Sequence, residues 1–270
     1  MNFIKKLERS QKKNNSLLCV GLDPSLERLP ELCRAQAQPF LAFNQALIDA
    51  TADLVCAYKP QIAHYAALGA ETELLATIDY IHTKYPDVPV ILDAKRGDIG
   101  STAEKYAAEA FIRYQADAVT VNPYLGGDSL EPFLKFSEKG VVILCRTSNP
   151  GGSDLQGLQV DGEPLYLKVA ELAAGSWNKN RNILLVVGAT WPTELALVRE
   201  KVADIPLLVP GIGAQGGDLA AVMRAGLDKN GAGLVINSSR GIIYADSGNG
   251  FAAAARQAAL ELRDAINSHR

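Results

Sequence analysis

Eight short apolar runs recur along the chain, at residues 17–22, 54–58, 88–92, 118–121, 141–145, 183–187, 206–209 and 233–236, each ending in polar or turn residues. Their near-continuous Val, Ile and Leu marks strands buried on both faces, as in a parallel sheet. Between them lie stretches with apolar residues three and four apart, among them 40–53, 65–84, 99–114, 163–177, 193–202 and 251–266, the spacing of amphipathic helices. Such alternation places helices outside a parallel sheet, and eight repeats in 270 residues predict a closed (β/α)8 TIM barrel. No low-complexity linker divides the chain, so residues 1–270 read as a single domain. Phe3, Ile4 and Leu7 fall at helical spacing and add a short N-terminal capping helix with a basic outer face.

Composition narrows the function. Net charge is −3 with acids and bases interspersed, which argues against a nucleic-acid partner, since that calls for a basic face. There is no apolar run of about 18 residues, so no membrane span is expected, and the first 15 residues lack the apolar core of a secretory signal. Cys19, Cys33, Cys56 and Cys145 show no metal-ligand spacing and read as reduced thiols; the expected location is cytoplasmic. No His, Asp and Glu grouping suggests a metal site. Trp177 and Trp191 read as packing residues, and the three histidines as unlinked to any catalytic grouping.

In such a barrel the active site lies at the C-terminal ends of the strands. Those ends carry Asp23, Lys59, Asp93 with Lys95, Asn122, Thr147 with Ser148, Gly188, Gly211 with Gly213, and Asn237 to Arg240. Asp93 and Lys95 are two apart, so strand periodicity points both to one face. Asp98 follows near a helix start, where the dipole favours a carboxylate. Two readings stand for this Asp-x-Lys-x-x-Asp run: a reaction centre, or a solvated ion pair followed by a helix-terminal acid. Asp23 and Lys59 add a second acid and base to the same mouth. Such an array is costly to desolvate unless fully paired.

The stretches VPGIGAQGGD and NSSRGIIYAD follow the seventh and eighth runs, where barrels often bind phosphate. Glycines at 211, 213 and 216 let backbone N–H groups approach an anion. Gln215, Ser239 and Arg240 can contribute side chains, the guanidinium through two parallel hydrogen bonds. A P-loop is excluded, because no Gly-Lys-Ser/Thr ending occurs. The long segment RTSNPGGSDLQGLQVDGEPL after the fifth run reads either as a lid or as a disordered excursion.

These motifs together (GLDP, YKPQ, LDAKRGDIGST, TSNPGG, PGIGAQGGD and SSRGIIYAD, in order over residues 18–246) resemble the orotidine 5′-monophosphate decarboxylases of the longer bacterial subgroup. The resemblance implies decarboxylation of orotidine 5′-monophosphate to uridine 5′-monophosphate in pyrimidine biosynthesis, with no cofactor and no metal, by a homodimer whose active sites lie at the interface. It also implies that Asp93 faces the substrate carboxylate, and that Lys95 protonates the ring carbon that loses it. Lys59 and Asp23 would hold the ribose hydroxyls and the charged array. Asp98 and Thr102 would come from the partner subunit, Ser148 would meet the pyrimidine, and Gln215 and Arg240 would take the phosphate. The loop after the fifth run is longer than in short members of the family. Asn122 and Tyr124 receive no role.

Two other readings share the barrel. One is a magnesium-dependent sugar-phosphate decarboxylase or aldolase with the same Asp-x-Lys-x-x-Asp core, disfavoured by Ser148 in TSNPGG. The other is a non-catalytic nucleotide-binding barrel, which needs the phosphate loops but not the Lys59, Asp93, Lys95 and Asp98 array.

Overall fold

All eight apolar runs form strands of one parallel sheet: β1 (Leu18–Leu22), β2 (Ala57–Pro60), β3 (Ile91–Arg96), β4 (Ala118–Val121), β5 (Gly140–Arg146), β6 (Ile183–Val187), β7 (Leu207–Pro210) and β8 (Leu234–Ser238). The computed structural model describes residues 1–213 and 216–270. Strands pair in chain order from β3 through β8, then with β1 and β2. Bridges Tyr58–Val90 and Gln61–Asp93 close the circle, giving the expected (β/α)8 barrel.

Alternation along each strand divides the core in two. Outward residues such as Val20, Tyr58, Leu92 and Ile236 pack with the helices, while inward residues such as Cys19, Ile91, Ala118, Val142, Leu184 and Val235 fill the barrel. The N-terminal helix Phe3–Asn14 stops the lower end, capped by the Asn2 side chain accepting from Lys5 N at 3.0 Å. Phe3 and Leu7, one turn apart, join the interior cluster. Gly140 is obligatory there, because a Cβ would overlap the Phe3 ring.

Three local differences from the sequence expectation have physical causes. The helix expected over 65–84 is two helices, Ile62–Ala66 and Glu71–Lys84, separated at Gly69, whose φ of +65° suits glycine. β3 runs on to Arg96, past the last apolar residue, because its inward side faces a polar cavity at that level. The segment after β5 is ordered rather than an excursion: it holds a 3-10 turn, Pro150–Asp154, and a hairpin pairing Gln159–Val160 with Glu163–Pro164. All four cysteines are free and buried. No helix among the described residues is long and apolar enough to cross a membrane.

Candidate active site

One cavity of about 570 Å³ opens at the C-terminal ends of the strands. Seven strands present inward side chains to it, among them Lys59, Asp93, Thr120, Leu144, Val186, Leu208 and Asn237. β1 has Gly21 at the same level, in register with Lys59, where a Cβ would lie 2.8 Å from Ser239 Cβ. The wall formed by β2, β3 and β4 is therefore charged and polar, and the wall formed by β5, β6 and β7 apolar. A flat heterocycle with one ionic edge suits that division.

Asp93 is the centre of the charged wall. Its Oδ2 accepts from Lys59 Nζ at 2.8 Å, and its Oδ1 accepts from Lys95 Nζ at 2.6 Å and Thr120 Oγ1 at 2.8 Å. The Asp93 and Lys59 side chains are 9% and 5% exposed, so this pair is buried, whereas the Lys95 side chain is 46% exposed at the cavity mouth. Burial works against the Asp93 charge, but Lys59 and Lys95 outweigh it and hold the carboxyl well below the usual carboxylate range. Burial likewise opposes the Lys59 charge, and the fields of Asp93 and Asp23 raise it well above the ordinary lysine value instead. Asp23 lines the cavity with a buried Oδ1 that has no hydrogen-bond partner among the described residues. A ligand hydroxyl would satisfy it.

Asp93 and Lys95 meet as their spacing suggests, but not through a regular pleat. Leu92 and Arg96 of β3 pair with Val119 and Val121 of β4, so β3 advances four residues while β4 advances two. Lys95 lies in this bulge with φ +47°, a left-handed conformation uncommon for lysine. Bulges commonly re-aim a side chain beside an active site.

The other expected residues fall in different places. Ser148, Gly211, Ser239 and Arg240 line the cavity with Asp23, Lys59, Asp93 and Lys95. Gly213 and Gly216 have the positive φ expected of their turn, +78° and +76°, but stand back from the lining. Gln215 lies outside the described residues. Asp98 and Thr102 do not reach the cavity of their own chain: the Asp98 carboxylate accepts from Ile99 N at 2.8 Å, and Thr102 is exposed on the helix Gly100–Ala108. Asn122 caps the turn Pro123–Leu125, accepting from Tyr124 N at 3.0 Å.

Sequence reasoning passed over Thr120, Gln61 and His64, which line the cavity together with the strand-end residue Asn237. Strand alternation places Thr120 two residues beyond the inward Ala118, the one signal available for it. His64 sits at the rim with Nδ1 2.9 Å from Pro24 O. Also missed was Arg146, buried at the end of β5. Its guanidinium stacks 4.0 Å from the Trp191 ring and donates to Ser153 Oγ at 2.9 Å and Gln156 Oε1 at 3.4 Å. Gln156 Oε1 in turn accepts from Thr147 N at 2.9 Å. This knot ties the segment after β5 to the cavity wall next to Ser148. Trp191, read as packing, also donates from Nε1 to Thr147 O at 2.9 Å.

Comparison with known proteins adds independent findings. Residues 16–257 match the Orotidine 5'-phosphate decarboxylase / HUMPS family. The chain is 62% identical to the orotidine 5′-phosphate decarboxylase of Dechloromonas aromatica (strain RCB) over 270 residues, 100% of both chains. It is 61% identical to that of Cellvibrio japonicus (strain Ueda107) over 269 residues, 99% of this chain and 98% of the relative. Among solved structures, Leishmania donovani OMP decarboxylase superposes with a TM-score of 0.87 at 43% identity, covering 100% of this chain and 98% of that one.

Proposed function

The chain belongs to the orotidine 5′-phosphate decarboxylase family, and from that premise we propose that its reaction centre is the Lys59–Asp93–Lys95 array, with Lys95 as proton donor. The chain is a carboxy-lyase that converts orotidine 5′-monophosphate to uridine 5′-monophosphate in pyrimidine biosynthesis. One observation carries the assignment of the array: a buried carboxylate held from both sides by two ammonium groups, at 2.8 and 2.6 Å.

The chemistry explains why this arrangement is needed. When the bond to the carboxylate breaks, carbon dioxide leaves and the electron pair stays on the ring carbon. That pair lies in the ring plane, where the π system cannot spread it. Stabilisation must come from fixed charge aimed at the carbon. Lys95 Nζ supplies that charge and then its proton, forming the new C–H bond; solvent restores the ammonium. Asp93 and Lys59 keep Lys95 in place without motion during the step. Enzymes lower barriers by about 8–23 kcal/mol, and a carbanion without an electron sink calls for the upper part of that range.

Asp23 and Lys59 take the ribose hydroxyls, Ser148 the pyrimidine, and Arg240 with Ser239 and the glycine turn of 211, 213 and 216 the phosphate. Binding the phosphate away from the reacting carbon contributes to the rate if that energy closes the segment after β5. Residues 1–270 act as one catalytic domain, without metal or organic cofactor. The working unit is a homodimer. Asp98 and Thr102 face away from their own cavity, and near them Ile99, Tyr124 and Leu125 expose 58%, 74% and 46% of their surface. Gly97 and Asn122 bring these segments together, a Cβ at Gly97 standing 3.3 Å from Asn122 Cβ. An apolar rim of this kind suits a partner subunit, which would receive Asp98 and Thr102 at its own site.

The test is to follow the ultraviolet absorbance of orotidine monophosphate with purified protein treated exhaustively with EDTA. The spectrum should convert to that of uridine monophosphate at the untreated rate. Loss of activity that magnesium restores would support the metal-dependent reading instead.

A further inference from the structure

We infer that Thr120 is a positioning residue for decarboxylation, its hydroxyl fixing both the Asp93 carboxylate and the backbone that aims Lys95. The inference rests on the reading of Lys95 as proton donor.

A threonine hydroxyl has one proton to donate and two lone pairs to accept with. At Thr120 all three are in use. Oγ1 accepts from Ala94 N at 2.9 Å and from Lys95 N at 2.9 Å, and donates to Asp93 Oδ1 at 2.8 Å. Because both lone pairs are occupied by N–H donors, the proton has only Asp93 to point to. The hydroxyl cannot rotate to serve another partner, so Asp93 Oδ1 is required as an acceptor, and the carboxyl is required in its ionised form on that oxygen. Lys95 Nζ shares the same oxygen at 2.6 Å. Thr120 therefore fixes the atom on which the lysine rests.

The backbone argument is independent of the side-chain one. In the bulge, β3 advances four residues against two on β4, and the extra N–H groups of Ala94 and Lys95 fall out of step with the strand ladder. An N–H left without a partner in such a part-buried stretch is destabilising. The Thr120 side chain, 1% exposed, accepts from both. It thus stabilises the left-handed Lys95 backbone, φ +47°, that a regular strand would not adopt. Strain of this kind persists where the surroundings over-determine it. Val at this position would preserve shape and β propensity, yet leave both N–H groups and one carboxylate oxygen short of a partner.

The experiment compares Thr120→Val, which removes the hydroxyl, with Thr120→Ser, which keeps it, alongside Lys95→Ala. Thr120→Val should lower kcat by about 10- to 100-fold, the loss of one or two such hydrogen bonds. KM for orotidine monophosphate and the Kd for uridine monophosphate should stay within about threefold. Thr120→Ser should restore kcat to within about threefold of the parent. Should Thr120→Val not fold, Thr120→Ala removes the same hydroxyl and is read the same way. The inference is overturned if the hydroxyl-free variant keeps parental kcat, if Thr120→Ser loses as much, or if kcat, KM and product binding fall together with the urea midpoint. An active Lys95→Ala would overturn the proton-donor reading itself; an inactive Lys95→Ala beside a fully active Thr120→Val overturns only the role given to Thr120.

Discussion

The Lys59 ammonium and the Asp93 carboxylate lie 2.8 Å apart with side chains 5% and 9% exposed, so each is the condition for burying the other. A buried pair broken from one side leaves an uncompensated charge, at a cost of about 3–5 kcal/mol. Lys59→Ala is therefore expected to lower stability by about 3 kcal/mol, the remaining contact of Asp93 with Lys95 holding the loss at the low end. Lys201→Ala, which removes the partly exposed pair with Glu163 at 2.9 Å, should cost less than about 1 kcal/mol. Urea denaturation of the two variants checks the contrast.

Asp117 is expected to make stability pH-dependent. It accepts from Lys6 Nζ at 2.9 Å, His82 Nε2 lies 3.0 Å away, and Val90 N donates at 2.8 Å, joining the N-terminal helix to the barrel floor. Burial pushes its carboxyl up, but His82, Lys6 and Val90 N together bring it down to about 2. A depressed carboxyl contributes stability that is present above its unfolded value, near 3.9, and lost as pH falls through the folded one. Asp117→Asn should cost about 2 kcal/mol at pH 7. The difference from the parent should shrink between about pH 4 and pH 2. Urea midpoints across that range measure it.

The four cysteines are expected to be inert in the folded protein. All are buried and free, and burial pushes the Cys19 and Cys145 thiols up to about 12. The thiolate is the reactive form. A thiol reagent at pH 8 should label none of the four in the native protein and all of them in denaturant. Rapid native labelling of Cys19 or Cys145 would contradict the burial.

Much of this architecture was legible before the structure. Eight apolar runs cannot be covered except by helices, and the strand-end rule then collects Asp23, Lys59, Asp93, Lys95 and Arg240 at one mouth. What the chain pattern hid was geometry that departs from regular strands. A threonine in Ala118–Val121 reads as ordinary β propensity, because nothing local announces that β3 bulges opposite it. Arg146 and Gln156 were hidden for another reason: a Gly-, Ser- and Asn-rich stretch reads as loop, and its order comes from a buried guanidinium distant in sequence from Trp191. Asp98 belongs to the same motif as Asp93, yet one residue faces the cavity and the other faces out, a distinction spacing alone does not carry.

Arg146 should prove important to the segment after β5. Its guanidinium spans Trp191, Ser153 and Gln156, anchoring the segment beside Ser148. Arg146→Met should lower kcat/KM by about tenfold, the worth of a charge-assisted hydrogen bond. It should also open residues 150–164 to proteolysis, because an unanchored surface segment is the preferred site of nicking. Limited proteolysis with and without uridine monophosphate measures the second effect.

The central claim is that Lys95, held against Asp93 at 2.6 Å, delivers both charge and proton to the ring carbon. The most direct measurement is single-turnover conversion of orotidine monophosphate by Lys95→Ala, with binding of uridine monophosphate measured on the same preparation. The account predicts no detectable conversion while the product still binds, since Arg240 and the phosphate turn are untouched. Conversion at the parental rate would contradict it.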